Sequence, residues 1–189
     1  MRLVPLVREH AEDLFAAGRD PAIWRWMPKP ALQIVDDARA WIEEALRELE
    51  LGMQVPFAIV HRANAAAPER AIGSTRFLDI RRPHRGLEIG WTWIALEHQR
   101  SAVNTECKRL LLAHAFEDLG ALRVQLKTDA RNLPSQRAIE RIGALKEGVM
   151  RRHMVMSDGF VRDSVLYGIT DLEWPAVRAK LDVLLRRAS

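Results

Sequence analysis

The order in which strand-like and helix-like patterns follow one another is the feature that most constrains the fold of this chain. The clearest strand alternates Leu87, Ile89 and Trp91 with Glu88 and Gly90. The predicted strands cover residues 3–7, 57–61, 71–80, 86–95, 123–128, 147–156 and 160–169, and the predicted helices cover 11–18, 36–52, 104–119, 134–142 and 170–185. This order, β-α-α-β-β-β-α-β-α-β-β-α, predicts an α/β fold with a mixed sheet and helices on its faces, in one domain.

Composition excludes several classes of protein. Of the 189 residues, 48% are hydrophobic and 29% are charged, which is close to an average globular protein and unlike a disordered, collagen-like or disulfide-stapled chain. The net charge of +4 suits an anionic ligand, but the basic residues are interleaved with acids and do not predict a nucleic-acid binder. A lone cysteine, Cys107, excludes an internal disulfide and fits a reducing compartment. No stretch approaches the ~18 apolar residues of a membrane span. We therefore expect a soluble, cytoplasmic protein that does not act at a membrane.

The segment from Glu97 to Glu106 joins a predicted strand to a long predicted helix. Small residues at a helix entrance direct unpaired backbone N–H groups to one point, with the positive end of the helix dipole behind them. Such a turn suits a phosphate group. An ordinary Ser101 or Asn104 helix cap explains the same residues equally well.

A second strand–loop–helix segment runs from Asp129 to Gly143. Asn132 offers an amide that can pair with the amides of a ligand, and Pro134 suits the first turn of the helix that follows. Ser135 lies in that first turn with its hydroxyl unassigned. Taken alone, Asn132 and Ser135 are more typical of helix caps than of catalytic residues.

Together these two segments resemble the GNAT family of acyl-CoA-dependent N-acetyltransferases. The phosphate loop of that family reads Gln/Arg-x-x-Gly-x-Gly/Ala, and Gln99, Ala102 and Asn104 stand at its defined positions. The likeness extends through the whole element order. The run from Asn132 to Ser135, with the run from Val103 to Lys108, resembles the branch that contains the ribosomal-protein-alanine N-acetyltransferases.

The resemblance implies a single GNAT-like domain over residues 1–189, with a mixed, mostly antiparallel sheet of about seven strands flanked by helices. It implies acetyl-CoA as co-substrate, and no metal. The residues expected to bind acetyl-CoA are Trp93, Ile94, Gln99, Arg100, Ser101, Ala102, Val103, Asn104, Asn132 and Ser135. Ala102 replaces the glycine of the family, so its methyl group fits beside a diphosphate only if its φ is negative.

The implied reaction is direct attack of an amine on a thioester, which needs a base, an oxyanion donor and a proton for the leaving thiolate. Glu88 is the candidate base, with a solvent-facing or ion-paired strand residue as the equal alternative. Ser135 is the candidate proton donor, because the predicted helix after Asn132 lacks a tyrosine, and Tyr167 is the runner-up. A backbone N–H near Trp93 or Ile94 is the candidate oxyanion donor.

The amine acceptor is a small molecule or a protein N-terminus, and the pocket for it is implied between the N-terminal helices and the last hairpin. Its candidate lining residues are Trp24, Trp26, Arg151 and His153, although core packing is the preferred explanation for the tryptophans. A homodimer is compatible with this reading. The alternatives are a catalytically silent acyl-CoA sensor on the same fold and, with less support, a ribosome- or nucleic-acid-binding module. The six histidines show no spacing typical of metal ligands.

Overall fold

The computed structural model describes residues 1–187, and within them seven strands form one open sheet. The strands are β1 (Arg2–Pro5), β2 (Gln54–His61), β3 (Arg70–Arg81), β4 (Gly86–Ile94), β5 (Arg123–Asp129), β6 (Leu145–Val155) and β7 (Val161–Thr170). The helices are α1 (Ala11–Gly18), α2 (Pro21–Trp24), α3 (Val35–Glu50), α4 (Val103–Ala113), α5 (Leu133–Arg141) and α6 (Trp174–Arg186). The mixed sheet flanked by helices confirms the predicted fold class.

The strand order is β1-β2-β3-β4-β5-β7-β6, and every neighbouring pair is antiparallel except β4 and β5. The parallel contact between β4 and β5 is short. It consists of Gly86 with Arg123, Leu87 with Val124, and Glu88 with Gln125. Beyond Glu88 the two strands diverge, so the sheet opens in its middle while β5 stays paired with β7 along its whole length.

An extra residue in β4 marks the start of this opening. Arg76 of β3 pairs with Gly90, but Ser74 pairs with Trp93, so β4 uses one more residue than β3 over the same interval. Trp91 takes a left-handed φ of +52°, which is unusual for a bulky residue. Such a bulge bends the strand and resets which side chains face each side of the sheet.

Two separate cores cover the two faces of the sheet. Alternate residues of β2 show this directly, because Ile59 belongs to one core while Ala58 and Val60 belong to the other. The first core joins the sheet to α4, α5 and α6, and the second joins it to α1, α2 and α3. The bulge divides β4 between them: Ile89 and Ile94 pack in the first core and Trp93 in the second.

Helices depart from the sequence-based expectation in two places. The proline-rich stretch after residue 20 contains the short helix α2, because Pro21 fits a first turn and Asp20 Oδ1 accepts a hydrogen bond from the Ala22 N–H at 2.9 Å. The helix expected to run to Leu119 ends at Ala113 and continues as one π-helical turn, His114–Asp118. Within residues 1–187, no helix is both long and apolar enough to cross a lipid bilayer.

Candidate active site

A cavity of about 500 Å³ fills the opening between β4 and β5. Gly90 and Thr92 line it from β4, and Leu126 and Thr128 line it from β5. Residues of α4 and α5 close it on one face of the sheet, and residues of α2 and the following loop close it on the other. The divergence of two central strands therefore makes a passage through the sheet, with different helices at its two ends.

The turn that enters α4 lies at the first of these ends. The backbone N–H groups of Arg100, Ser101, Ala102 and Asn104 donate to no acceptor among the described residues. The Val103 N–H, in contrast, donates to Ser101 Oγ at 3.2 Å. Arg100 has a left-handed φ of +58°, which turns the chain at this point. Four free donors at a helix N-terminus form a site for an anionic group.

Ala102 has the negative φ that its methyl group needs in order to fit beside a diphosphate. Its φ is −65° and its ψ is −21°, in the ordinary right-handed region. A glycine is therefore not required at this position. The position where a glycine would relieve strain is Arg100 instead.

Gln99 connects this turn to β4. Its side-chain amide Nε2 donates to the carbonyl oxygen of Ile94 at 2.9 Å, which fixes the turn against the end of the strand. Gln99, Arg100, Asn104 and Ile94 all line the cavity. Trp93 does not line the cavity, because its side chain packs against Trp24 and Trp41 in the second core. Ser101, Ala102 and Val103 do not line it either, but they form the turn between Arg100 and Asn104, which do.

Asn132 and Ser135 line the cavity from the start of α5. Asn132 Oδ1 accepts a hydrogen bond from the Ser135 N–H at 3.1 Å and so caps the helix. The other end of this amide, Nδ2, donates to no described residue, and the Ser135 hydroxyl has no partner within residues 1–187. Asn132 therefore caps the helix and still has a free amide donor.

Glu88 lines the cavity on the side of α2. It is 4% exposed, and its Oε2 accepts a hydrogen bond from Gln125 Nε2 at 2.9 Å and pairs with Lys127 Nζ at 2.9 Å. Its Oε1 receives no hydrogen bond from the described part of the chain. Gly90 leaves space beside this oxygen, since a Cβ there would lie 3.1 Å from it.

Tyr167 and Cys107 are poorly placed for proton transfer or nucleophilic attack. Tyr167 is fully buried and donates to Glu140 Oε1 at 3.0 Å; burial and this bond raise the pKa of Tyr167 to about 12. Cys107 is fully buried in the first core, and burial raises the pKa of its thiol to about 11. Neither residue lines the cavity.

The predicted acceptor residues separate into one that lines the cavity and three that do not. Trp26 lines it, with the guanidinium groups of Arg25 and Arg131 at 4.7 and 5.2 Å from its ring centroid. Trp24 is buried in the second core, and its indole N–H donates to the Gly18 carbonyl. Arg151 is exposed on β6, and the Nδ1 of His153 lies 2.9 Å from Ser164 Oγ.

Three cationic side chains that sequence reasoning did not select also line the cavity: Lys108, Lys127 and Arg162. Lys108 follows Asn104 by four residues, so helical spacing places both on one face of α4. Lys127 lies two residues after Gln125 on β5, which places it on the face that Glu88 shares. These two spacings are the sequence features from which Lys108 and Lys127 could have been predicted.

Comparison with known proteins agrees with this geometry. The family model described as "Acetyltransferase (GNAT) domain" matches residues 1–145. A Bacillus subtilis (strain 168) protein named "Putative ribosomal N-acetyltransferase YdaF" is 36% identical over 91 residues, which are 48% of this chain and 49% of that protein. The chain thus matches about half the length of this relative.

Solved structures share the fold. The crystal structure of a GCN5-related N-acetyltransferase from Brucella melitensis has a TM-score of 0.88 and 27% identity, covering 97% of this chain and 81% of that chain. The structure of Mycobacterium smegmatis RimJ in complex with CoA-disulfide has a TM-score of 0.79 and 19% identity, covering 96% of this chain and 88% of that chain.

The name of the Bacillus subtilis relative agrees with the likeness of the run from Asn132 to Ser135 to the branch of ribosomal-protein acetyltransferases. The family model covers most of the chain, including the turn at the entrance of α4 and the start of α5. Acetyl-CoA is the acyl donor that this family uses. The chain belongs to the GNAT acetyltransferases and is an N-acetyltransferase enzyme.

Proposed function

We propose that this chain, acting as one domain, transfers the acetyl group of acetyl-CoA directly to a primary amine. The observation that carries the proposal is a single cavity with free N–H donors at one end and a buried carboxylate at the other. An acyl-CoA and an amine entering from opposite faces of the sheet would meet inside it. Direct attack by the amine needs no covalent acyl-enzyme, and Cys107, buried outside the cavity, is not placed to form one.

The residues at the entrance of α4 fit the diphosphate of acetyl-CoA. The four free N–H groups of residues 100–104 would bind its oxygens, with the positive end of the helix dipole behind them. The free Nδ2 of Asn132 would donate to an amide carbonyl of the pantetheine arm as it passes α5. Acetyl-CoA supplies an activated acyl thioester.

Glu88 and Ser135 would carry the two protons of the reaction. The amine nitrogen forms its bond to the acyl carbon and gives up one proton, which Glu88 Oε1 accepts directly or through one water. The carbon–sulfur bond breaks with its electron pair on sulfur, and the Ser135 hydroxyl donates a proton there and is reprotonated by water. The backbone N–H groups of β4 near Trp93 and Ile94 are the proposed donors to the acyl oxygen.

The acceptor is proposed to be a protein N-terminal α-amine, with a small-molecule amine as the second class. The support is the Bacillus subtilis relative that is named a putative ribosomal N-acetyltransferase. An α-amino group has a pKa of about 8, so a weak carboxylate base suffices. Trp26, between Arg25 and Arg131 at the cavity wall, is the proposed contact for the acceptor.

Calorimetric titration with acetyl-CoA, followed by thiol-release assays with N-terminal peptides and small amines, tests the proposal. We expect saturable binding of acetyl-CoA and release of CoA that depends on the acceptor. Binding without turnover across a broad panel would favour an acyl-CoA sensor. The absence of binding would exclude both the enzyme and the sensor.

A further inference from the structure

Lys108 is a buried cation for which the fold offers no counter-charge. The residue is 6% exposed, and Nζ donates to Thr92 Oγ1 at 2.8 Å. Within residues 1–187 no carboxylate lies within 4.0 Å of this ammonium group. Thr92 Oγ1 is the only acceptor of Lys108 among the described residues, and it also lies 2.8 Å from Thr75 Oγ1.

The fold alone gives no reason for a charge at this place. Burial lowers the pKa of Lys108, because the charged form loses its hydration. An unpaired buried ammonium opposes folding, and an apolar side chain of the same length would pack against the neighbouring core at lower cost. If Lys108 had no role in ligand binding, catalysis or folding, an apolar replacement would therefore raise stability without loss of activity.

The position of Lys108 along α4 relates it to the two ends of the cavity. Asn104 and Lys108 lie one helical turn apart and both line the cavity. Asn104 belongs to the turn with free N–H groups, while Lys108 reaches Thr92, two residues beyond Gly90 on β4. The ammonium group thus approaches the diverging strands from the α4 face, whereas Glu88 lies on the α2 face.

We propose that the Lys108 ammonium is a binding residue for the acyl-thioester end of acyl-CoA and stabilises the negative charge that develops there. The proposal rests on the proposed function. An ammonium group has three donors, and only one is directed to Thr92. The remaining donors would contact the acyl oxygen as the amine adds, or the sulfur as the carbon–sulfur bond breaks. Lys108 keeps its proton throughout.

The test compares stability with binding in the same variant. Lys108→Met removes the charge and keeps the length of the side chain, and Lys108→Gln keeps a neutral donor toward Thr92. Lys180→Met is the matched control, because it removes one lysine charge from an exposed position of α6. Each variant is measured for melting temperature without ligand, for acetyl-CoA affinity and turnover, and for affinity to 3′-phospho-ADP, which lacks the pantetheine arm and the thioester.

For Lys108→Met we expect a melting temperature higher by about 2–5 °C. Turnover should fall on the order of 10²-fold, as for the loss of one oxyanion donor. Acetyl-CoA affinity should weaken several-fold while 3′-phospho-ADP affinity stays unchanged. Lys108→Gln should be similarly impaired in turnover, and Lys180→Met should match the unsubstituted protein in all four measurements.

Four outcomes would overturn this role. A lower melting temperature with retained turnover would make Lys108 a structural residue. An equal loss of affinity for 3′-phospho-ADP and acetyl-CoA would show a general attraction to phosphate. Unchanged turnover in Lys108→Met would end the proposal while leaving the acetyltransferase proposal intact. If the unsubstituted protein binds 3′-phospho-ADP but not acetyl-CoA, the proposed function fails and this role fails with it.

Discussion

Polar atoms without a protein partner define what this site can bind. Polar atoms that face a cavity and have no partner in the protein are available to a ligand or to water. The Ser135 hydroxyl, the Nδ2 of Asn132 and the Oε1 of Glu88 are such atoms among the described residues. In each case a second polar atom of the same residue is held by the protein: the Ser135 N–H, the Asn132 Oδ1 and the Glu88 Oε2. The protein therefore orients each side chain and leaves one atom for chemistry.

Ser135→Ala tests the proposed proton donor. Removal of the hydroxyl should lower turnover about 10–100-fold, because the leaving thiolate loses its proton source. Acetyl-CoA affinity should change by less than about threefold, and stability should be nearly unchanged, since the helix cap uses the Ser135 backbone N–H. Calorimetry and a thiol-release assay measure both effects. Unchanged turnover would remove Ser135 from this role.

Glu88→Gln tests the proposed base. A carboxylate base must be ionised, so turnover at saturating acceptor should fall at low pH in the unsubstituted enzyme, and this acid limb should disappear in the variant. Turnover at neutral pH should fall about 10²-fold, with acetyl-CoA binding retained. An acid limb that persists in the variant would assign the proton to another group. The melting temperature is measured in parallel, because Glu88 is paired with Lys127.

Some of these residues could be predicted from the sequence, and others could not. Asn132 and Ser135 follow a strand and begin a helix, a position that local chemistry marks. Lys108 was not selected, because helical spacing predicts a buried apolar stripe of Val103, Cys107, Leu110, Leu111, Ala115 and Leu119. Leu110 and Leu119 are exposed, at 42% and 54%, whereas Lys108 is buried. The predicted stripe is therefore wrong at Leu110 and Leu119, while its other four residues are buried as expected.

At the scale of elements, the bulge in β4 determines where the site lies. It lies just after the last pair between β4 and β5, and it shifts the alternation of β4 so that Ile89 and Ile94, an odd number of residues apart, pack in the same core. The sequence predicted β4 from its alternation, which a bulge interrupts without changing the residue types. The extra residue was therefore not predictable, although the strand itself was. A close approach of β3 to this bulge holds it in place.

Gly73→Ala tests that approach. A Cβ on Gly73 would overlap the carbonyl oxygen of Trp93 and lie 3.0 Å from the Cα of Ile94, both backbone atoms that cannot move freely. We expect a loss of about 1–3 kcal/mol in the free energy of unfolding, together with weaker acetyl-CoA binding. Gly148→Ala on β6 is the control, because a Cβ there meets nothing within 4 Å. Equal melting temperatures for the two variants would contradict the proposed constraint.

At the scale of the whole molecule, the sheet is two pieces joined at one place. Strands β1 to β4 form one piece and β5, β7 and β6 the other, and their direct pairing is limited to the three residue pairs from Gly86 to Glu88. The order of elements predicted a mixed sheet with helices on both faces. It did not predict the opening, because the divergence of two strands depends on where their pairing stops.

A ligand that enters this opening should join the two pieces of the sheet. Acetyl-CoA at about 100 times its Kd should stabilise the protein by about 2.7 kcal/mol. For a chain of this length that corresponds to a rise of about 5–10 °C in melting temperature. Hydrogen exchange should slow in residues 90–94 and 126–129, at the two edges of the gap, and in residues 100–104 at the entrance of α4. Exchange in β1 and in β6, at the outer edges of the sheet, should stay unchanged.

The distribution of protection separates two ways of binding. Slower exchange confined to residues 100–104 would mean that only the phosphate groups bind, on the outer turn, and that the gap between β4 and β5 stays empty. Slower exchange on both strands requires the acyl arm to lie between them. A titration with 3′-phospho-ADP provides the reference, because it can occupy the turn but carries nothing that would reach Thr92 or Thr128. If acyl transfer takes place in the passage through the sheet, acetyl-CoA should slow hydrogen exchange in both strands. The fragment 3′-phospho-ADP should slow it only in the turn at residues 100–104.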